Sequence, residues 1–103
     1  MASISILTQY LHTSMMISVK SNNSYKKELL DLLLKINKKD DLENFLEGIL
    51  TPKELEEIPV RLQIVKMLKK GIPQHKIASD LGIGVATVTR GSKEIKQGKF
   101  KIV

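Results

Sequence analysis

The sequence predicts an all-α fold, and three observations point to it. The apolar residues are mainly Leu, Ile and Val, with only six Gly and three Pro in 103 residues. They recur at helical spacing. Between them stand residues that start and stop helices rather than hairpin turns. Hydrophobic residues make up 42% of the chain, the range of a globular domain, and the length suits one core. Cysteine is absent, which excludes disulfide scaffolds, thiol catalysis and the usual structural zinc site. His12 and His75 are too far apart in sequence to suggest a histidine metal site, so no metal is expected. No apolar run approaches the roughly 20 residues that span a bilayer. The first basic residue is Lys20, so the positive start of a secretory signal is missing. A soluble, cytoplasmic protein without membrane contact is the expectation.

Taken in order, residues 1–23 are polar, Ser/Thr-rich and without a clean period, and read as a poorly ordered N-terminal extension. Ser24 is placed to N-cap a first helix through Ile36. Its leucines cover more than one stripe, so a single packing partner cannot bury them and a second copy of the chain is the economical cover. Asn37 to Asp41 reads as a charged break. Leu42 to Leu50 reads as a short helix with Leu42, Phe45, Leu46, Ile49 and Leu50 inward. Thr51-Pro52-Lys53-Glu54 combines a capping threonine, a proline at the first helical position and the glutamate of a capping box. Pro59 is expected to kink or break the helix that follows. Val60 to Lys70 continues it, burying Val60 or Val65 with Ile64, Met67 and Leu68, and Gly71 supplies a left-handed stop.

Charge divides the chain. Residues 1–50 carry six bases and six acids, whereas residues 60–103 carry ten bases against two acids, a net +8. A basic half beside a neutral one is the footprint of polyanion binding and equally of a solvated basic surface. The stretch Pro73 to Arg90 separates these readings. Ala78 is small enough for the close approach of two steeply crossed helices, Gly82 tolerates the turn, and Val88 packs the second helix onto the first with Ile77, Leu81 and Ile83. This is helix-turn-helix spacing at 74–91, and the second helix offers Val85, Ala86, Thr87, Thr89 and Arg90 to a major groove of double-stranded DNA.

The run Leu50-Thr51-Pro52-Lys53-Glu54, then Arg61 with Ile64-Val65, Gly71 and Gly84-Val85-Ala86-Thr87-Val88-Thr89-Arg90-Gly91-Ser92 resembles the tryptophan operon repressor family. The likeness covers a domain at 24–96 and leaves 97–103 as a short basic tail. It implies an intertwined all-helical homodimer, a repressor of tryptophan biosynthesis or transport genes that binds operator DNA with L-tryptophan as corepressor. By motif match, Arg61 and Arg90 flank the indole and Arg90 meets the carboxylate. Thr51 and Gly91 fall on ligand positions, and Gly48 and Leu50 offer carbonyls from the partner subunit. Guanidinium planes suit both jobs, since they stack on rings and bind carboxylates by paired hydrogen bonds. Gln74 and His75 match phosphate-contacting positions, and Ala78, Val85, Ala86 and Thr89 match groove-facing ones. Lys76 is read as a further phosphate contact and Thr87 as part of the groove face.

The sequence departs from the family pattern at several points. Glu94 stands where the family usually has serine, beside the ligand's ammonium, and either pairs with that charge or crowds the pocket. The segment from Gly71 to Gly82 is one residue shorter, Ala78 replaces a lysine, and the last family helix is essentially missing. No catalytic constellation is present, so the chain is not read as an enzyme and no cofactor is expected besides the corepressor. His75, Ser79 and Asp80 lie within two turns of one helix and cannot form a relay. Gly82-Ile83-Gly84 lacks the strand and lysine of a phosphate loop. Asp40, Asp41, Glu43 and Glu47 read as a charged turn. Two rivals remain: a helix-turn-helix regulator that needs no ligand, and a helical module whose basic half meets an acidic protein.

Overall fold

The structure, a computed structural model, describes residues 23–103. The extension expected before them lies outside the described residues, apart from residue 23. Five helices and no strand occur among the described residues. They are α1 over 23–35, α2 at Lys39–Ile49, α3 at Pro52–Lys69, α4 at Gln74–Leu81 and α5 at Val85–Lys96. The chain divides into two compact units at Asn44 and Phe45.

In the first unit, residue 23 is already helical, so Ser24 sits inside α1 and does not cap it. No residue of α1 is buried, and Leu34 is 85% exposed. The charged break is shorter than expected. Lys39, Asp40 and Asp41 belong to α2, where the two aspartates stand in the first turn and favour the positive end of the helix dipole. Of the residues expected inward on the second helix, Leu42 in the first unit is exposed; in the second unit Phe45, Leu46 and, just past α2, Leu50 are half-buried, whereas Ile49 is exposed.

The second unit carries the core. Thr51 caps α3 with both halves of the capping box: its Oγ1 accepts from the Glu54 N–H at 3.2 Å, and its own N–H donates to Glu54 Oε1 at 2.8 Å. Of the kink or break expected at Pro59, the break does not occur: α3 runs as one helix to Lys69. Pro59 is exposed, so water can reach the Leu55 carbonyl that it leaves without a helical donor, and proline's fixed φ is already helical. The stop after α3 closes with the Gly71 N–H donating to the Leu68 carbonyl at 2.9 Å and the Ile72 N–H to Met67 at 3.2 Å.

Helices α3, α4 and α5 pack pairwise around Ile64, Ile77 and Val88, each no more than 2% exposed. Val60, Met67, Leu68, Ile72, Ala78, Leu81 and Ile83 fill in around them. The turn between α4 and α5 depends on Gly82 at φ +66, where the Ile83 N–H reaches back to the Ala78 carbonyl at 3.0 Å. A side chain at that φ costs roughly 1–2 kcal/mol, which explains glycine there. The helix-turn-helix is thus fixed onto the second half of α3.

Candidate functional site

Helix α5 faces two ways. Val88 turns into the core with no exposed surface, while Val85, Ala86, Thr87 and Arg90 are exposed. Thr89 differs from the sequence reading, which had it outward. It is half-buried, with its hydroxyl 2.8 Å from Gln74 Oε1 and 3.0 Å from the Val85 carbonyl, and its single hydrogen serves one of them at a time. Gln74, half-buried at the start of α4, is thereby linked to α5. Ala78 is half-buried against the core and fits the close approach expected of it. His75 and Lys76 are exposed, and Lys76 pairs with Asp80 at 3.0 Å. An exposed pair of this kind is worth little, so Lys76 can exchange it for a phosphate. No side chain caps the start of α4 or α5, whose preceding residues are Pro73 and Gly84.

Behind the exposed turn of α5 lies a cavity of about 640 Å³. Buried Ile64 and Val65 line it from α3 together with Arg61. Ala86, Thr87, Arg90, Gly91 and Glu94 line it from α5, and Lys99 and Phe100 from the segment that follows. Its volume is that of an ordinary small-molecule site. Gly91 lets the helices approach here: a Cβ on it would stand 3.2 Å from Ile64 Cγ2 and 3.4 Å from Leu68 Cδ1. Arg61 also borders a second cleft of about 540 Å³, where its guanidinium lies 3.6 Å from Glu57.

Four of the seven residues expected at the ligand, Arg61, Arg90, Gly91 and Glu94, therefore share one cavity. Thr51, Gly48 and Leu50 do not line it. Thr51 is engaged in the capping box, where its hydrogen bonds hold the Glu54 carboxyl below the usual glutamate range. Gly48 lies exposed on α2 with nothing within 4 Å of a Cβ, and Leu50 is half-buried just beyond it. Lys99 and Phe100 escaped the sequence reading, which treated 97–103 as a tail. Gly98 was the available signal, since a glycine after a helix end reverses the chain. Ala86 and Thr87, read only as groove-facing, also wall the cavity.

The family model of the Trp repressor protein matches residues 24–102. The chain belongs to the Trp repressor family. Among similar proteins, a Trp operon repressor homolog of Vibrio atlanticus is 40% identical over 70 residues, covering 67% of this chain and 71% of the relative. One from Photobacterium profundum is 43% identical over 72 residues, covering 67% and 68%. A third, from Actinobacillus succinogenes, is 34% identical over 79 residues, covering 76% and 78%. No solved structure matches the chain. Membership identifies a DNA-binding transcriptional regulator, not an enzyme, and gives the five helices the Trp repressor family fold. No described helix is long and apolar enough to cross a membrane, and no cluster of three or more metal-ligating side chains occurs among the described residues.

Proposed function

We propose that the protein is a homodimeric repressor that binds operator DNA with L-tryptophan as corepressor and acts on genes of tryptophan biosynthesis or transport. One observation carries the reading. Arg61 and Arg90, remote in sequence, meet at a cavity whose wall includes Ala86 and Thr87 of the DNA-reading turn. A ligand there touches the helix that enters the groove, so its binding free energy biases the placement of that helix. The guanidinium groups suit an aromatic carboxylate, and Glu94 offers a partner for its ammonium.

On the DNA side, Val85, Ala86 and Thr87 are the base-facing residues, since all three are exposed at the start of α5. Thr89 acts from the inside by tying α5 to α4. Gln74, His75 and Lys76 stand in the first turn of α4, where phosphate contacts position a reading head without specifying sequence. The homodimer is supported by α1, whose Leu29, Leu30, Leu32 and Leu34 are 39–85% exposed. Gly48 and Leu50 would then reach the ligand from the partner subunit.

Calorimetric titration of L-tryptophan, with L-phenylalanine as control, tests the ligand. Saturable binding of about one tryptophan per subunit, lost in Arg90→Ala, is expected from the paired hydrogen bonds proposed for Arg90. The chain contains no tryptophan, so the bound ligand's fluorescence is an independent readout. Tryptophan should also raise affinity for operator duplex at fixed salt. No change there favours the ligand-independent regulator, and no duplex binding even at low salt sinks both DNA readings.

A further inference from the structure

The cavity has a wall built from residues beyond α5. Helix α5 ends at Lys96, and Gly98 at φ +88 turns the chain back on itself. Its N–H donates to the Ile95 carbonyl at 3.0 Å, and the Lys99 N–H donates to Glu94 at 3.1 Å. Phe100 then adopts φ +60, a left-handed conformation uncommon for a bulky residue. Two contacts hold it there. Lys69 Nζ, from the last turn of α3, donates to the Phe100 carbonyl and to the Val103 carbonyl at 2.8 Å. The Val103 N–H closes the turn onto the Phe100 carbonyl at 3.1 Å. The segment is fastened at both ends, and it sets Lys99 and Phe100 on the same cavity as Arg61, Arg90 and Glu94.

We propose that this fold-back turn is a working wall of the ligand site, with Phe100 gripping a flat ring and Lys99 anchoring a carboxylate. The proposal rests on the reading of the cavity as the ligand site. Two features argue for the ligand class. Arg61, Arg90 and Lys99 outnumber the single carboxylate of Glu94, so the cavity favours an anionic group. Ile64, Val65 and the Phe100 ring present apolar surface, and Phe100 remains 38% exposed, open to a stacked or edge-on aromatic partner. Lys69 acts through the backbone of the turn and is a positioning residue.

The test is calorimetric titration of the full chain with L-tryptophan and, separately, 3-phenylpropionate, which keeps a ring and a carboxylate without the ammonium. Phe100→Ala is expected to weaken the binding of either probe about tenfold, the scale of a lost aromatic contact. Lys99→Gln should weaken it about three- to tenfold. Lys69→Met, which removes no ligand contact, should give a smaller loss by releasing the turn. Far-ultraviolet circular dichroism of each variant should match the parent, since none of the three side chains is buried. Tryptophan binding equal in parent, Phe100→Ala and Lys99→Gln overturns the wall and leaves the corepressor reading standing. Binding of 3-phenylpropionate alone, dependent on Phe100 and Lys99, overturns the tryptophan reading and supports the wall. Tighter binding by Phe100→Ala shows that the ring plugs the cavity and overturns the proposal, as does binding of neither probe by the parent protein.

Discussion

Helix α1 and the three-helix head are built from the same aliphatic residues yet end in opposite states. In the head, Ile64, Val65, Ile77 and Val88 are almost wholly withdrawn from water. In α1 no leucine is buried, although five of the thirteen residues at 23–35 are leucine. The difference lies in geometry. Helices α3, α4 and α5 cross one another, so each offers a groove to the other two, and the core closes within one chain. The core of the head is thus complete within one chain. In the proposed homodimer the leucines of α1 contribute by association, and that contribution depends on protein concentration.

The strongest way to sharpen this contrast is to cut into each region. Ile77→Ala should cost about 2–5 kcal/mol in urea or thermal unfolding, equally at every protein concentration. Leu30→Ala should lower the unfolding midpoint at high protein concentration, by an amount that shrinks as dilution separates the copies. A shift from Leu30→Ala that ignores concentration would break the comparison.

Within the head, Thr87 and Thr89 allow a finer contrast between neighbours on one helix. Thr89→Ala removes a hydroxyl bound between α4 and α5 and should cost about 0.5–1.5 kcal/mol. Thr87→Ala should change stability by less than about 0.5 kcal/mol yet relax sequence preference in duplex-binding assays. Equal stability losses would mean that the hydroxyl of Thr89 ties nothing together. On α2, Gly48→Ala should stabilise the helix by up to about 1 kcal/mol, since a Cβ there meets nothing. A loss of ligand affinity alongside that gain would place Gly48 at the site of a partner subunit.

The smallest effect is a pH dependence. Hydrogen bonds from Thr51 depress the folded-state pKa of Glu54, so its contribution is fully present above the unfolded value. That contribution is lost as pH falls through the lower folded value. Acid titration of the melting temperature should show this loss, and Glu54→Gln should abolish that part of the slope.

Much of the fold was legible because its signals are short. The capping box at Thr51, the stop at Gly71 and the turn at Gly82 each need residues within one or two helical turns, and all three stand where the sequence placed them. The candidate site was legible only in part. Arg61, Arg90, Gly91 and Glu94 were found through the family likeness, and the cavity gathers them. The outer wall was not found, because nothing adjacent to Phe100 records that Lys69, 31 residues earlier in the chain, holds its carbonyl. Pro59 shows the limit of a local rule: it removes one helical hydrogen bond, yet α3 runs on to the turn where Ile64 joins the core of the head.

The sequence by itself determined where α3 begins and stops, where the turn between α4 and α5 lies, and that the basic half carries a DNA-reading motif. Those properties arise from hydrogen bonds and periodicities between near neighbours. Tertiary structure alone decided that α3 continues through Pro59, that the half-buried Thr89 hydroxyl lies within reach of Gln74, and that Lys99 and Phe100 wall the cavity. Each of these depends on contacts between residues distant along the chain, whose free energy exists only once the helices have packed.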